Sequence, residues 1–543
     1  MIMSKRFVSL LFAILVFTIQ FSIAQNARKI PSEKPKLVVG IVVDHLRADY
    51  FFRYSNLLGD GGFKRLMNQG TYCKNAKFSY LYSQTGPDHA SIFTGTPPAF
   101  HGIISNGWYN RLSGKLEFAK DDSDTRLVGI ESKEKGSSPK KLLAATLGDE
   151  IKLFNSHSRV VGVALNCESS MFSAGHAADG AYWMDDLSGK FITSSYYQDT
   201  LYNWVKEFNE KKFADFYLNR VWTPFNGGNK ASVSNKLLGK VGLNNEFFYD
   251  LNKEKREHGY KAIKTTPFGN MLVKDFAISA IINENLGKDD DSDFLSVTFS
   301  CLGEKNRDLS PFAPEMLDNF IRLDQELEHF LSFLDEQIGM ENVLVFLTAD
   351  ESANYTPENL AEQNIPNGYF SSYNAIALLK SYFNIIYGNG KWILGYDSQQ
   401  VYLNHQLIED SKLSITVLQE KAVDFLIQFS GVATTTSANS LVKSNYTHGI
   451  LQKVQRSFSQ KRSGDIMLTL EPGWMHKIKD ERDEIAQYSY TNQVPLFWYG
   501  WKIKRSVISR SIYIEDIVPT ISSFLNISIP SGCDGNPIEE LVN

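Results

Sequence analysis

The stretch that decides the fold is KLVVGIVVD, residues 36–44, a short apolar and β-branched run that ends in Asp44. A run of this length without polar alternation is typical of a parallel strand that is buried on both faces. Open α/β sheets build their sites at the carboxyl ends of such strands. We therefore expect Asp44 to be a site residue.

The same pattern recurs at 160–165, 294–299, 343–350 and 494–499, and predicts further buried parallel strands. Helical patterns lie between these runs, most clearly at 314–338, where apolar residues recur every three or four positions. Alternating strands and helices predict an α/β fold with a doubly wound, mostly parallel sheet flanked by helices.

Two stretches, 176–265 and 352–470, interrupt this alternation and are rich in aromatic residues, Lys and Asn. We interpret them as cap segments inserted into one domain that spans 37–543. Their aromatic residues could line a cleft beside the sheet or pack on the main domain.

Residues 1–24 are organised like a signal peptide, with Lys5 and Arg6 before an apolar run at 7–21 and a small-residue cleavage site. A polar linker, 25–36, follows. This predicts a secreted or periplasmic protein without a stable membrane anchor once the signal is removed. A retained anchor is the alternative, but the apolar run is short for a membrane span.

The composition supports a large folded domain, with 543 residues and 43% hydrophobic content. The formal net charge of −5 gives no basic surface for nucleic acid. The cysteines, Cys73, Cys167, Cys301 and Cys533, are too few and too far apart for a disulfide scaffold, although export would permit one or two bridges.

Thr85 stands before Gly86 and Pro87 in the segment QTGPDHAS, 84–91, at the start of a helix-forming run. This predicts Thr85 at a helix N-terminus, where free N–H groups and the helix dipole favour a phosphate. A hydroxyl there can attack phosphorus if its pKa is lowered. The alternative is that Thr85 serves only as a helix N-cap.

Together these segments resemble the alkaline phosphatase superfamily, most closely the phosphate-irrepressible alkaline phosphatases of the bacterial periplasm. The resemblance rests on VVD (42–44), GGFKRLMNQG (61–70), TGPDHASIFTGTPP (85–98), HGIISNGWYN (101–110), TAD (348–350) and KRSGDIMLTLEPGW (461–474). It implies that Thr85 is the catalytic, phosphorylated residue and that the amide of Asn106 binds a phosphate oxygen. Asn106 could instead be a plain turn residue.

The resemblance also implies a centre in which two zinc ions activate the nucleophile and stabilise the leaving oxygen. Asp44 and Asp350 occupy ligand positions of one zinc site, but Glu351 stands where the family has a histidine. With Thr85 these residues form an all-oxygen set, which suits Mg²⁺, Mn²⁺ or Ca²⁺ better than Zn²⁺. We therefore expect at most one divalent cation, Mg, Mn, Ca or Zn, and no two-zinc centre.

At the second zinc site, the resemblance places Gly303, Arg307 and Gln493 on the ligand positions. Gly and Arg cannot bind zinc, and Gln is a poor ligand compared with imidazole. A shifted alignment that recruits Glu304 or Asp308 is the alternative. Arg307 could occupy the space of the absent metal and bind an anionic substrate, or face solvent.

A further departure follows the strand at 160–165, where the family carries Lys-x-Arg for phosphate binding. This chain has Asn166 and Glu168 at those positions. An amide and an acid replace two cations, and Glu168 would repel a phosphate dianion if it points the same way.

The leading functional prediction is an exported, phosphatase-like protein whose phosphomonoester hydrolysis is lost or impaired, and whose cleft still binds a small phosphorylated or other anionic ligand. The alternative is an active phosphoesterase that works through a phosphothreonine at Thr85, using one metal and Arg307. A sulfate or phosphonate ester hydrolase is a third, weaker possibility. The sequence leaves open whether a protein partner exists.

Overall fold

A central sheet of ten strands organises the molecule. The computed structural model describes residues 32–225, 247–299, 311, 313–350, 355–478, 481–485 and 492–542. The sheet consists of β1 (Leu37–Val43), β2 (Thr71–Lys77), β3 (Leu127–Val128), β4 (Val160–Val163), β5 (Gly180–Met184), β6 (Phe191–Ser194), β7 (Asp293–Phe299), β8 (Val343–Thr348), β9 (Gln493–Gly500) and β10 (Ser506–Tyr513). Its spatial order is β10-β2-β9-β8-β1-β7-β4-β5-β6-β3.

The predicted parallel centre of the sheet is confirmed. Strand β1 lies between β7 and β8 and runs parallel to both, with Leu37 opposite Asp293 on one side and Val343 on the other. Every residue of β1 is buried. This is the environment that a continuous apolar run requires, because helices cover both faces of the strand.

The prediction for 494–499 is wrong in one respect. Strand β9 is buried as expected, but it runs antiparallel to both of its neighbours, β8 and β2. A strand buried on both faces has the same apolar pattern in either direction, so the pattern predicted its burial and could not predict its direction.

Helices cover the two faces of the sheet. The longer ones are α1 (Thr85–Thr94), α2 (Leu147–Phe154), α3 (Cys167–Ala174), α4 (Pro267–Asn283), α5 (Pro314–Gln337) and α6 (Ile517–Leu525). On one face, Phe93 of α1 packs with its ring 5.9 Å from Phe294 and 6.0 Å from Phe346. On the other, Phe320 of α5 lies 5.7 Å from Phe51, itself 5.0 Å from Phe497 of β9. The doubly wound fold is therefore confirmed.

The stretch 176–265 contributes both to the main sheet and to its surroundings. It supplies β5 and β6, and then the helices Asn203–Glu210, Phe213–Leu218 and Leu251–His258 and the 3₁₀ turns Gly259–Thr265.

The stretch 352–470 builds a second sheet, which we call the cap sheet. Its strands, in spatial order, are Ile393–Asp397, Gln400–Leu403, Ile466–Leu470 and Val432–Ser437. The helices Ser372–Tyr387 and Ile415–Leu426 contribute to its own apolar core. The division into one domain with two cap segments stays a prediction.

The amino-terminal predictions fall on 1–31, outside the described residues, so the signal peptide stays a prediction. Within the described ranges, the structure has no helix of the length and apolarity that a membrane span needs. Cys73, Cys167 and Cys533 carry free thiols, while Cys301 lies outside the described residues.

Candidate functional site

Two carboxylates meet at the carboxyl edge of the sheet, Asp44 after β1 and Asp350 after β8. Asp350 Oδ1 accepts a hydrogen bond of 3.0 Å from the backbone N–H of His45. The N–H of Asp44 donates to the carbonyl oxygen of Phe299, at the end of β7, over 2.9 Å. Asp44 is 4% exposed and Asp350 is 1% exposed. The structure thus places two predicted metal-binding residues on adjacent strand ends.

His45 makes this arrangement possible, and we did not predict its role. Its φ of 61° lies in the left-handed region, which bends the chain directly after Asp44 and turns the His45 N–H towards Asp350. A left-handed residue other than glycine persists only where its surroundings fix it. The sequence feature that could have indicated this role is the position of the histidine directly after Asp44, the acid at the strand end.

Thr85 is the first residue of α1, as the sequence predicts, and Gln84 before it is extended. Thr85 is partly exposed, whereas the rest of the helix, Gly86–Thr94, is buried. Its hydroxyl therefore stands at the accessible, positive end of a buried helix, where backbone N–H groups attract an anion.

The loop before Thr85 is held by Asp88, a buried carboxylate in the first turn of α1. It accepts hydrogen bonds from the hydroxyls of Tyr80 and Ser83. Burial and the neighbouring Asp88 raise the pKa of Tyr80 well above its usual value, so the phenol keeps its proton and remains a donor. This network fixes where α1 begins.

Asn106 lies beside Thr85. Its Oδ1 accepts a 2.8 Å hydrogen bond from the N–H of Gly86, and its own N–H donates to Gln84 Oε1 over 2.8 Å. Because the Asn106 carbonyl is used in this way, its NH₂ group is the end left to meet an anion. A side chain at Gly86 would place its Cβ 2.8 Å from Asn106 Oδ1, so glycine permits the close approach.

The cap sheet contacts the same place through Ser398, a residue that the sequence analysis did not single out. Gln84 Nε2 donates to the hydroxyl of Ser398 over 2.9 Å, and that hydroxyl donates to Asp397 over 2.7 Å. Ser398 lies at the turn between two strands of the cap sheet. Gln84 therefore connects the cap sheet to the backbone of Asn106.

The ring of His89 anchors α1 to the main sheet. Its Nδ1 lies 2.9 Å from the carbonyl oxygen of Thr85, and its Nε2 lies 3.1 Å from Thr298 Oγ1 on β7. Burial lowers the pKa of His89, although the negative charges of Asp350 and Glu168 oppose this shift. Both ring nitrogens have partners, so His89 is a neutral positioning group.

Two further histidines, His101 and His176, also bond within the protein. His101 Nε2 lies 2.9 Å from Ser91 Oγ, and burial lowers the pKa of His101 to about 3. His176 lies 2.8 Å from Asp149 and 3.1 Å from the Leu142 carbonyl oxygen. Burial opposes protonation of His176, but the bond to Asp149 outweighs it and raises the histidine pKa. Both rings therefore connect neighbouring segments of the chain.

Lysines from distant segments meet the end of β4, and we did not predict them. Lys264 Nζ donates to Asn166 Oδ1 over 3.0 Å, and Lys120 Nζ lies 3.4 Å from Glu168 Oε1. Glu168, which we expected to repel a phosphate dianion, thus has a cationic partner. No local pattern around Lys120 or Lys264 indicates this contact.

The structure says less about three residues to which the sequence analysis assigned a role. Arg307 and Glu351 lie outside the described residues, so their predicted roles stay predictions. Gln493 Nε2 donates to the carbonyl oxygen of Lys74 over 3.0 Å. The Gln493 side chain thus bonds the backbone of β2.

Comparisons with known proteins identify the family. The sequence signature of "Type I phosphodiesterase / nucleotide pyrophosphatase" matches residues 38–494. The chain belongs to that family. The relative alkaline phosphatase PafA of Elizabethkingia meningoseptica is 35% identical over 532 residues, 96% of each chain. A Myroides odoratus protein named calcium-transporting ATPase is 34% identical over 521 residues, 94% of this chain and 95% of its own.

Among solved structures, wild-type alkaline phosphatase PafA superposes on this family member with a TM-score of 0.87 at 32% identity, covering 95% of this chain and 100% of the other. The predicted alkaline-phosphatase superfamily and fold are confirmed. The predicted substitutions of zinc ligands stay predictions.

Asp44 and Asp350 are the predicted metal ligands that the structure describes. In the part of the chain that the structure describes, no group of three or more His, Cys, Asp or Glu residues could hold a metal ion. Asp44 and Asp350 offer carboxylate oxygens at adjacent strand ends, and Mg²⁺, Mn²⁺ or Ca²⁺ prefer such oxygens. A bound divalent cation would polarise a phosphoryl oxygen there.

Proposed function

We propose that this chain binds a small phosphorylated or similar anionic ligand at the Thr85 end of α1, and that its two-zinc phosphomonoester hydrolysis is lost or severely impaired. One observation carries the binding proposal: the 2.8 Å bond from the Gly86 N–H to Asn106 Oδ1. It holds a side-chain amide beside the helix N-terminus, where an anion is favoured.

The loss of hydrolysis is supported by the residues at the zinc positions. The resemblance puts Gly303 and Arg307 on two of them, and neither can bind zinc. Gln493, on a third, donates to a backbone carbonyl of β2. Losing a metal that contributes several kcal/mol to transition-state stabilisation slows hydrolysis by about 10³-fold or more.

The experiment is an aryl phosphate hydrolysis assay of the purified mature chain with Zn²⁺, Mg²⁺ or Mn²⁺, beside the variant Thr85→Ala. We expect the two proteins to give the same residual rate. Isothermal titration calorimetry with inorganic phosphate should show binding that Asn106→Ala weakens about tenfold, because the amide hydrogen bond to a charged ligand is lost. Turnover that Thr85→Ala abolishes would overturn the proposed loss of hydrolysis.

A second candidate is an active phosphoesterase with one metal and Arg307 as electrostatic stabiliser. It is favoured by the two buried carboxylates, Asp44 and Asp350, on adjacent strand ends. This function predicts a covalent phosphothreonine at Thr85, detected by mass spectrometry after acid quenching, and activity that a hard cation restores after chelation. If neither the phosphothreonine nor the cation-dependent activity is found, the second candidate function is rejected.

We further propose export after cleavage behind Ala24. The motif at 1–24 supports this proposal. Amino-terminal sequencing of the protein recovered from the periplasm or medium should begin at Gln25. A protein that remains in the cell with residues 1–24 still attached would contradict export.

A further inference from the structure

A short hairpin, 107–118, has a leucine at its turn. Its strands, Gly107–Tyr109 and Leu116–Phe118, pair antiparallel. Asn110 Oδ1 accepts a hydrogen bond from the N–H of Leu112 over 2.9 Å, which fixes the backbone of the turn. The side chain of Leu112 is fully exposed. The turn therefore holds a large apolar side chain in solvent.

Two other segments pack against this hairpin. Arg462 Nη1 donates to the carbonyl oxygens of Gly102 and Lys141, each over 2.6 Å. Lys141 Nζ donates to the carbonyl oxygen of Phe118 over 2.5 Å. The guanidinium of Arg462 also lies 4.8 Å from the centroid of the Trp108 ring in the hairpin. We call the segments that these contacts join the hairpin surface: 98–118, 139–143 and 459–463.

The hairpin surface exposes several large apolar side chains besides that of Leu112. Phe100 and Leu143 are more than half exposed, and the hairpin strands add Leu116 and Phe118. Single exposed apolar residues are ordinary on a protein surface. A group of five on segments that contact one another indicates an interaction site.

The hairpin surface is also basic, although the whole chain has a formal net charge of −5. Its three segments contain six Lys or Arg residues and one acid, Glu117. Two of the cations, Arg111 and Lys140, pair with Asp465 and Asp124 outside these segments. The other four cations form no ion pair within the part of the chain that the structure describes. Excess positive charge thus accompanies the exposed apolar side chains.

This combination of side chains favours a lipid surface over a protein partner. Lysine is depleted from the centres of protein interfaces. At a bilayer, by contrast, Leu and Phe side chains enter the boundary between headgroups and acyl chains, while Lys and Arg attract anionic headgroups. Both types of side chain on the hairpin surface therefore have a partner at an anionic bilayer.

We propose that the hairpin surface binds reversibly to a membrane that carries anionic lipids. Leu112 and its apolar neighbours enter the interfacial region of the bilayer, and the four cations without an ion pair lie at the headgroups. Because salt screens the attraction between these cations and the headgroups, binding weakens as the ionic strength rises. The inference does not depend on the proposed function, since membrane binding requires no ligand at Thr85.

The experiment is co-sedimentation with vesicles of phosphatidylcholine alone, or of phosphatidylcholine and phosphatidylglycerol in equal parts. It uses the mature chain from Gln25 onwards, so that the apolar run at 7–21 does not itself bind lipid. Binding to the anionic vesicles should exceed binding to the neutral ones at least about tenfold, because several cations contribute. Raising the NaCl concentration from about 0.05 M to about 0.5 M should remove most of this difference.

Two variants separate the apolar and the charge contributions. Leu112→Ser should lower the vesicle partition coefficient about tenfold, because the most exposed apolar side chain is lost. Lys115→Ala should lower it about fivefold on anionic vesicles and change it little on neutral ones. Both residues are exposed, so the free energy of unfolding in urea should stay the same.

The matched controls lie on the helix Ser372–Tyr387 of the cap. This helix also exposes an apolar side chain, Ile385, and has a single charged residue, Lys380. Ile385→Ser and Lys380→Ala should leave vesicle binding unchanged. Hydrogen exchange gives an independent measurement, in which residues 107–118 should gain protection when anionic vesicles are added.

The outcomes decide which partner the hairpin surface has. Loss of binding in Leu112→Ser and Lys115→Ala, but not in the controls, supports the inference. It is overturned if the chain binds neither type of vesicle, binds both equally, or loses as much binding in the controls. A second copy of the chain is the competing partner, and a dimer in analytical ultracentrifugation that Leu112→Ser dissociates would also overturn the inference. None of these results bears on phosphate binding at Thr85, which is measured separately.

Discussion

The turn at Thr85 and the start of α3 are built in different ways. On the Thr85 side, Asn106 bonds to Gly86 and Gln84, which are only 20 and 22 residues away in the chain. At the start of α3, Lys264 reaches Asn166 from 98 residues away. One continuous segment therefore shapes the turn at Thr85, whereas segments far apart in the chain meet at the start of α3.

This difference indicates that the backbone geometry at Thr85 and the charge at the start of α3 are set by different parts of the chain. Substitutions in the segment around Thr85 should disturb the geometry of binding and the local stability. Substitutions of Lys120 or Lys264 should alter the charge at the start of α3 without moving Thr85. Single-residue variants test this difference.

The largest effect is expected for Asp88→Ala. The carboxylate is buried and accepts hydrogen bonds from Tyr80 and Ser83, so its removal leaves two buried hydroxyls without that acceptor. We expect the free energy of unfolding in urea to fall by about 3 kcal/mol. The control Asp60→Ala removes an exposed carboxylate of a 3.8 Å pair and should cost under about 0.5 kcal/mol. If both variants lost the same free energy of unfolding, the hydrogen bonds of Asp88 would not stabilise the segment around Thr85.

Gly86→Ala should damage binding more than stability. The new Cβ would stand 2.8 Å from Asn106 Oδ1 and displace the amide. We expect phosphate affinity to fall about tenfold and the unfolding free energy to fall by about 1 kcal/mol. The double variant Gly86→Ala/Asn106→Ala removes the clash, so it should regain stability without regaining affinity. Full affinity in the single variant would contradict the assigned role of Asn106.

A pH-dependent effect is expected at His176, which follows the carboxyl end of α3. Its pKa is raised because the bond to Asp149 outweighs burial, so its stabilisation is complete below the unfolded pKa of about 6.5 and is lost as the pH rises through the folded pKa. His176→Gln should therefore cost about 1 kcal/mol near pH 6 and less near pH 9.

The pKa of Asp149 is lowered, against burial, by its bond to His176 and by backbone N–H groups. Its contribution is present above its unfolded pKa and is lost as the pH falls through its folded pKa. Urea unfolding of the wild type and of His176→Gln at pH 6, 7.5 and 9 measures the effect. A cost that does not change with pH would show that the His176 charge does not contribute.

The smallest effect is expected for Gln84→Ala, which disconnects Asn106 from the cap sheet. Phosphate affinity should fall about threefold, since one hydrogen bond that holds the amide is lost. Ser398→Ala should have a smaller effect of the same sign. A double-mutant cycle tests the connection, and strictly additive effects would show that the cap sheet does not act through Gln84.

Much of the fold could be predicted from the sequence. The apolar runs predicted the central strands, and the Gly-Pro step after Thr85 predicted the start of α1. These features depend on local conformational preferences and on the spacing of apolar residues along the chain. The direction of β9 could not be predicted, because an apolar strand has the same pattern whichever way it runs.

The candidate site was predictable only where its contacts are local or lie at strand ends. Asp44 and Asp350 follow apolar runs, so their places at the sheet edge could be inferred. The contacts of Lys120, Lys264 and Ser398 could not, because each side chain reaches the site from a segment far away in the sequence.

The sequence by itself determined that two acids follow apolar runs and that a threonine begins a helix, because strand burial and helix initiation are set by neighbouring residues. Only the tertiary structure decided which charged side chains come into contact. The acidic Glu168 faces Lys120 because separate loops pack against α3, and Coulomb interactions depend on distance in space rather than on separation along the chain.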